Sequence, residues 1–127
     1  MSDRYRVLVI DDEEDFCFFI KSNLEEAGEF EVITAINGEQ GIAVAKEASP
    51  DLILLDIVMP GLSGTEVAEK LLGDPQTKHI PIIFLTAVVT KDETGPAPLK
   101  EIGGNNFIAK VTQTPELVSA IKDVLER

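Results

Sequence analysis

Hydrophobic residues recur along this chain in two rhythms. Short, nearly unbroken apolar runs at YRVLVI (5–10), EVITAI (31–36), DLILL (51–55), IIFL (82–85) and NNFIA (105–109) have the length and branched composition of strands. Between them, apolar positions return every three or four residues over 14–27, 38–47, 64–72 and 115–126, which predicts four helices. The punctuation agrees with this division. Gly28 sits where the first helix should stop, Pro50 and Pro81 precede two of the strands, and Thr114 followed by Pro115 predicts a cap and first turn for the last helix. One further helix is expected within 91–102, but Pro96 and Pro98 cannot occupy a helix interior, so it should be short, displaced or mobile.

Strands apolar on both faces are covered on both faces, and repeated βα units with right-handed crossovers make them parallel. The expected architecture is therefore an open, doubly wound α/β fold around a five-stranded parallel sheet. Neither repeats nor low-complexity tracts interrupt it, and the Gly/Pro-rich TGPAP at 94–98 is too short to separate domains. Residues 1–127 are expected to form one domain, a size that buries a core without disulfides.

Charge narrows the partners. Eleven Lys and Arg against 23 Asp and Glu leave a formal charge of −12, which opposes direct binding to nucleic acid or an anionic membrane and favours a cation or a basic partner. The one cysteine, Cys17, has no disulfide partner, and with one histidine there is no zinc constellation, so Cys17 is expected to serve in packing. No apolar run approaches a membrane span, and MSDRYRVLVIDD lacks a signal-peptide core and cleavage site; a cytoplasmic location is expected.

In an open α/β sheet the ligand sits beyond the carboxyl ends of the strands. There the first strand ends in Asp11-Asp12, the third in Asp56, the fourth in Thr86-Ala87 and the fifth in Lys110, while the second runs into the ordinary turn Asn37-Gly38. Each piece has a structural alternative: acidic residues before a helix cap it, a threonine caps a turn, and a lysine at a strand end is solvated. Their convergence outweighs those separate readings. Carboxylates 4 Å apart repel by roughly 4 kcal/mol at an effective dielectric of 20, and a cation removes the repulsion. Hard oxygen donors without imidazole or thiolate select magnesium, with manganese second. A carboxylate beside such an ion, with an ammonium and a hydroxyl aimed at the same space, suits a phosphoryl group, with Asp56 as the nucleophile.

The segments VLVIDDEED (7–15), LILLDIVMPGLSG (52–64), PIIFLTA (81–87) and FIAK (107–110) resemble, in order and spacing, the receiver domain of two-component response regulators of the chemotaxis-regulator-like kind, over residues 4–126. The resemblance implies a sheet of order 2-1-3-4-5, a flavodoxin-like arrangement. It implies that Asp56 accepts a phosphoryl group from a histidine kinase or histidine phosphotransfer protein, with magnesium held directly by Asp12 and Asp56, through water by Asp11, and by the Val58 carbonyl. Lys110 would pair with the phosphoryl oxygens, Thr86 and the Ala87 amide would hydrogen-bond them, and Phe107 would be the aromatic switch that follows Thr86. Downstream partners would dock on the face of the fourth helix, fifth strand and fifth helix. The domain would not be an enzyme beyond assisting its own phosphorylation and dephosphorylation.

Two features depart from the family pattern. Val111 stands where proline usually follows the lysine, so the Lys110–Val111 bond is expected to be trans with a shifted loop or cis under strain. The segment VVTKDETGPAPLK is about two residues longer than usual. Val58 and Val88, two residues after Asp56 and Thr86, flank the family's path for the hydrolytic water, so a long-lived phosphoryl group is expected. Two other functions fit the chain less well. A pseudo-receiver acting only as a binding module would lack an acid, the lysine or the threonine, and none is missing. An aspartyl-nucleophile phosphatase would carry a second Asp at position 58 as general acid, where Val58 stands. The chain is expected to be either a stand-alone receiver or a receiver cut from a larger regulator or hybrid kinase, with the Met1 start favouring an amino-terminal receiver.

Overall fold

The computed structural model describes residues 4–87 and 100–127. Along them run β1 (Tyr5–Ile10), α1 (Glu14–Glu26), β2 (Phe30–Ala35), α2 (Gly38–Ala48), β3 (Leu52–Asp56), α3 (Gly64–Leu72), β4 (Ile82–Thr86), β5 (Lys100–Ile102), β6 (Asn105–Ala109) and α4 (Thr114–Leu125). The sheet order is β2-β1-β3-β4-β6-β5. Every adjacent pair is parallel except β5 with β6, so the five expected strands take the expected 2-1-3-4-5 order.

Period-two alternation sorts the side chains of each strand between two cores. Val7 and Val9 of β1, Leu52 and Leu54 of β3, and Ile83 and Leu85 of β4 pack with Cys17, Ile20 and Leu24 of α1 and with Leu117 and Ile121 of α4. Leu8, Ile10, Ile53, Leu55 and Phe84 point the other way, onto Ala45 of α2 and Val67, Ala68 and Leu71 of α3. Two helices thus cover each face, which is why these strands read as unbroken apolar runs. Cys17 packs as expected: its buried Sγ donates to the Asp11 carbonyl at 3.3 Å, and burial, aided by the Asp11 charge, pushes its thiol up to about 11. No helix among the described residues is long and apolar enough to cross a membrane.

The chain differs from the sequence-based expectation in one element and in several boundaries. The helix expected within 91–102 does not reach residue 102, because Lys100–Ile102 pair antiparallel with β6 as a sixth strand. The cause is Gly103-Gly104, both at positive φ (+60° and +85°), which close a two-residue hairpin with Ile102 opposite Asn105. The remainder of that expected helix, and Val88, lie outside the described residues. Smaller shifts affect boundaries: β2 begins at Phe30 and ends at Ala35, β3 runs from Leu52 through Asp56, and α4 starts at Thr114 with Gln113 as its cap. The described residues contain no cis peptide, so Lys110–Val111 is trans, one of the two alternatives the missing proline left open.

Candidate functional site

The site forms where β1, β3, β4 and β6 end. Asp11 is tied to the sheet by its own N–H, which donates to the Ala35 carbonyl at 3.0 Å, and its side chain is fully buried. Asp11 Oδ1 accepts from the Glu13 N–H at 2.9 Å and so fixes the turn into α1. Asp56, the last residue of β3, is 6 % exposed, and its Oδ1 lies 3.4 Å from the Val58 N–H. Carboxylate oxygens of Asp11, Asp12 and Asp56 all fall within 4.8 Å of one another. Asp12 and Asp56 border an open cleft of about 550 Å³ that is also lined by Glu13, Val58, Thr86, Ala87 and Lys110, with Asp11 buried beneath it.

Lys110 enters from the end of β6, where its N–H donates to the Thr86 carbonyl at 2.9 Å and keeps those two strand ends in step. Its Nζ lies 2.8 Å from Asp11 Oδ2 and 3.9 Å from Asp56 Oδ2, hydrogen-bonds Glu13 Oε1, and sits 4.5 Å from the Phe16 ring centroid. Burial opposes its charge, yet the bonds to Asp11 and Glu13 outweigh that cost and hold the ammonium well above its usual range. Asp56 shows the opposite balance. Burial first, then the Asp11 charge, raises its carboxyl from 3.8 to about 6 despite the pull of Lys110. One ammonium against the four carboxylates of Asp11, Asp12, Glu13 and Asp56 leaves three negative charges uncompensated when all are ionised. This hard-oxygen, electron-rich donor set fits a divalent cation of the magnesium type.

The structure brings together Asp11, Asp12, Asp56, Val58, Thr86, Ala87 and Lys110, as the strand-end reading anticipated. Phe107 lies apart from the cleft on β6, half-buried and stacked on Phe84 with ring centroids 5.3 Å apart. Three residues escaped the sequence reading. Glu13 and Phe16 surround the Lys110 ammonium, which no local pattern signals because 97 residues separate Glu13 from Lys110. Gly64 is the third: a Cβ there would lie 2.2 Å from the Asp56 carbonyl oxygen, so only glycine lets the start of α3 dock on the backbone after Asp56. Behind it, Ser63 and Glu66 close a reciprocal capping box that sets where α3 begins.

The fold and the acidic cleft with its lysine suit a signalling module of the receiver type, and comparison with known proteins agrees. The response regulator receiver domain family matches residues 7–122, and the chain belongs to that family. It is 41 % identical over 121 residues to the phosphate regulon transcriptional regulatory protein PhoB of Pseudomonas aeruginosa, covering 95 % of this chain and 52 % of PhoB. The chain thus spans about half the length of that relative. It is also 36 % identical over 121 residues to protein PilH of Pseudomonas aeruginosa, covering 94 % of this chain and 97 % of PilH. The structure of the chemotaxis protein CheY4 of Vibrio cholerae superposes with a TM-score of 0.79 at 27 % identity, over 95 % of this chain and 98 % of that one.

Proposed function

We propose that this receiver takes a phosphoryl group on Asp56 from the phosphohistidine of a histidine kinase or histidine phosphotransfer protein. The observation that carries the reading is Asp56 itself, an under-compensated carboxylate at the lip of an open cleft with Lys110, Thr86 and Ala87 around the same space. One Asp56 oxygen attacks phosphorus, the P–N bond breaks, and the imidazole leaves with the bonding electron pair. Lys110 supplies a charged donor for the phosphoryl oxygens, and the Thr86 hydroxyl and Ala87 amide supply neutral ones. Asp12, Asp56, the Val58 carbonyl and, through water, Asp11 would hold magnesium, which neutralises charge on the transferring group when bound; manganese suits the same oxygens. Residues 1–127 act in this reading as one receiver domain, located in the cytoplasm, with output through β6 and α4 and the segment between β4 and β5. Thr86 and Phe107 are the two-state element: Thr86 gains a bond only in the phosphorylated state, and Phe107 follows.

Phosphoramidate with magnesium should give one acid-labile adduct per chain, readable by intact mass. Asp56→Asn should give none, and it should also lack the joint stabilisation by magnesium and beryllofluoride expected of the wild type. An adduct of equal stoichiometry in Asp56→Asn would move the acceptor elsewhere.

Persistence of the signal is a second expectation. Val58 is 80 % exposed at the cleft mouth and offers nothing to orient an attacking water. Introducing polar groups by Val58→Asn together with Val88→Glu should speed decay of the phosphorylated protein in excess magnesium by on the order of 10²-fold, the low end of positioned proton-transfer help. Equal decay in the single, double and wild-type proteins would show that water access is not controlled at these positions.

A further inference from the structure

Glu13 is the cleft residue whose placement neither capping nor metal coordination explains. It occupies the N-cap of α1 with extended backbone (φ −88°, ψ 102°), yet its side chain makes no capping hydrogen bond. An acidic side chain at this position ordinarily turns back onto the free N–H groups of its own helix, where the positive end of the dipole favours it. The Glu13 carboxylate instead reaches across to β6, and its Oε1 accepts a hydrogen bond from Lys110 Nζ. Asp11 Oδ2 at 2.8 Å and the Phe16 ring at 4.5 Å complete the seat of the ammonium, while Asp56 Oδ2 stays at 3.9 Å, beyond hydrogen-bond reach. Lys110 is the one cation the described residues bring to the cleft, so a phosphoryl oxygen on Asp56 must compete with the exposed Glu13 carboxylate for this same ammonium.

We propose that Glu13 is a positioning residue that holds Lys110 back from Asp56, and that competition between Glu13 and the incoming phosphoryl group sets how readily Asp56 is phosphorylated. The inference rests on Asp56 being the acceptor. Asp11 and Glu13 play unlike parts in it. Asp11 is fully buried and paired with Lys110 at close range, so that contact is a permanent anchor. Glu13 is 64 % exposed on its side chain, so water competes for it and the contact is cheap to break. Solvent-exposed ion pairs of this kind shift an equilibrium by about 2- to 5-fold, and salt weakens them further. Glu13 therefore tunes the rate without abolishing it.

The test is the initial rate of adduct formation with subsaturating phosphoramidate in magnesium, where the P–N bond breaks, nitrogen leaves as ammonia and a P–O bond to Asp56 forms. Glu13→Gln should react about 2- to 5-fold faster than wild type at low salt, and the difference should shrink as ionic strength rises. Glu13→Asp keeps the charge but loses one methylene of reach, and it should also be faster. Glu14→Gln, one residue along and outside the cleft, should match wild type. A Glu13→Gln rate equal to wild type overturns the proposal. So does a Glu13→Asp rate equal to wild type beside a faster Glu13→Gln, because charge repulsion alone would then suffice. The Lys110 side-chain 15N resonance in the resting protein provides a readout independent of phosphorylation. It should shift in both Glu13 variants, and an unshifted resonance removes the contact on which the proposal stands. If the resonance shifts but wild type and variants alike form no adduct, the acceptor reading has failed, and with it the kinetic part of this proposal.

Discussion

Asp56→Asn should make the metal-free protein more stable at pH 7.5 by about 3 kcal/mol, the equivalent of moving a carboxyl from 3.8 to about 6 at ~1.4 kcal/mol per pH unit. The direction follows from linkage. Burial and the neighbouring Asp11 disfavour the Asp56 anion in the folded chain, so between 3.8 and about 6 the folded state binds more protons than the unfolded one. Stability contributed by the protonated form is present below 3.8 and is lost as pH rises through about 6, so above that pH the anion's cost is complete. Asparagine has nearly the same shape and no charge, so it escapes that cost. Urea unfolding of both proteins in a chelator should show the gap at pH 7.5 and its near disappearance at pH 4. A gap of the same size at both pH values would mean that the substitution acts through packing and not through charge. Adding magnesium should narrow the difference at pH 7.5, because a bound cation favours the carboxylate that asparagine lacks.

Gly64→Ala should destabilise the fold by about 3 kcal/mol or more, at the upper end of what an added methyl costs in a packed position. The added Cβ would stand 2.2 Å from the Asp56 carbonyl oxygen and 2.7 Å from Ile57 Cα. Both are backbone atoms, so no side-chain rotation relieves the clash. Gly64 also donates to the Ile57 carbonyl at 2.8 Å, which means that α3 and the strand end must part company or the loop carrying Val58 must move. Denaturant midpoints measure the first consequence, and magnesium affinity measured by titration in folded protein reports the second. A loss below about 0.5 kcal/mol, within the ordinary range for neutral substitutions, would show that the loop yields freely and that Gly64 does not position the site.

Much of this arrangement was legible before any coordinates. Period-two and helix-period patterning marked out the five parallel strands and the four helices described, because burial on both sheet faces leaves apolar runs that no surface segment shows. Strand ends also placed the candidate residues together, since Asp11, Asp56, Thr86 and Lys110 each follow directly on such a run and Asp12 adjoins Asp11. The antiparallel β5 was also written in the chain, as Gly103-Gly104, a dipeptide suited to two successive positive φ values. A strand of three residues is too short for an apolar period to mark it, which is why the helix expected within 91–102 overlaps it.

Local properties are thus readable from the residues alone: which segments bury both faces, where each stops, and which reactive side chain stands at each stop. These are consequences of neighbouring residues and of covalent geometry, and they need no knowledge of the rest of the molecule. How the charges at those stops are shared is set by the folded chain. Whether Glu13 caps its own helix or reaches Lys110 depends on how near β6 ends to α1. Whether Asp56 carries its charge easily depends on how completely the fold excludes water from it and how near the Asp11 charge lies. Electrostatic interaction is set by distance and surrounding dielectric, quantities that residues far apart in the chain acquire only when it folds.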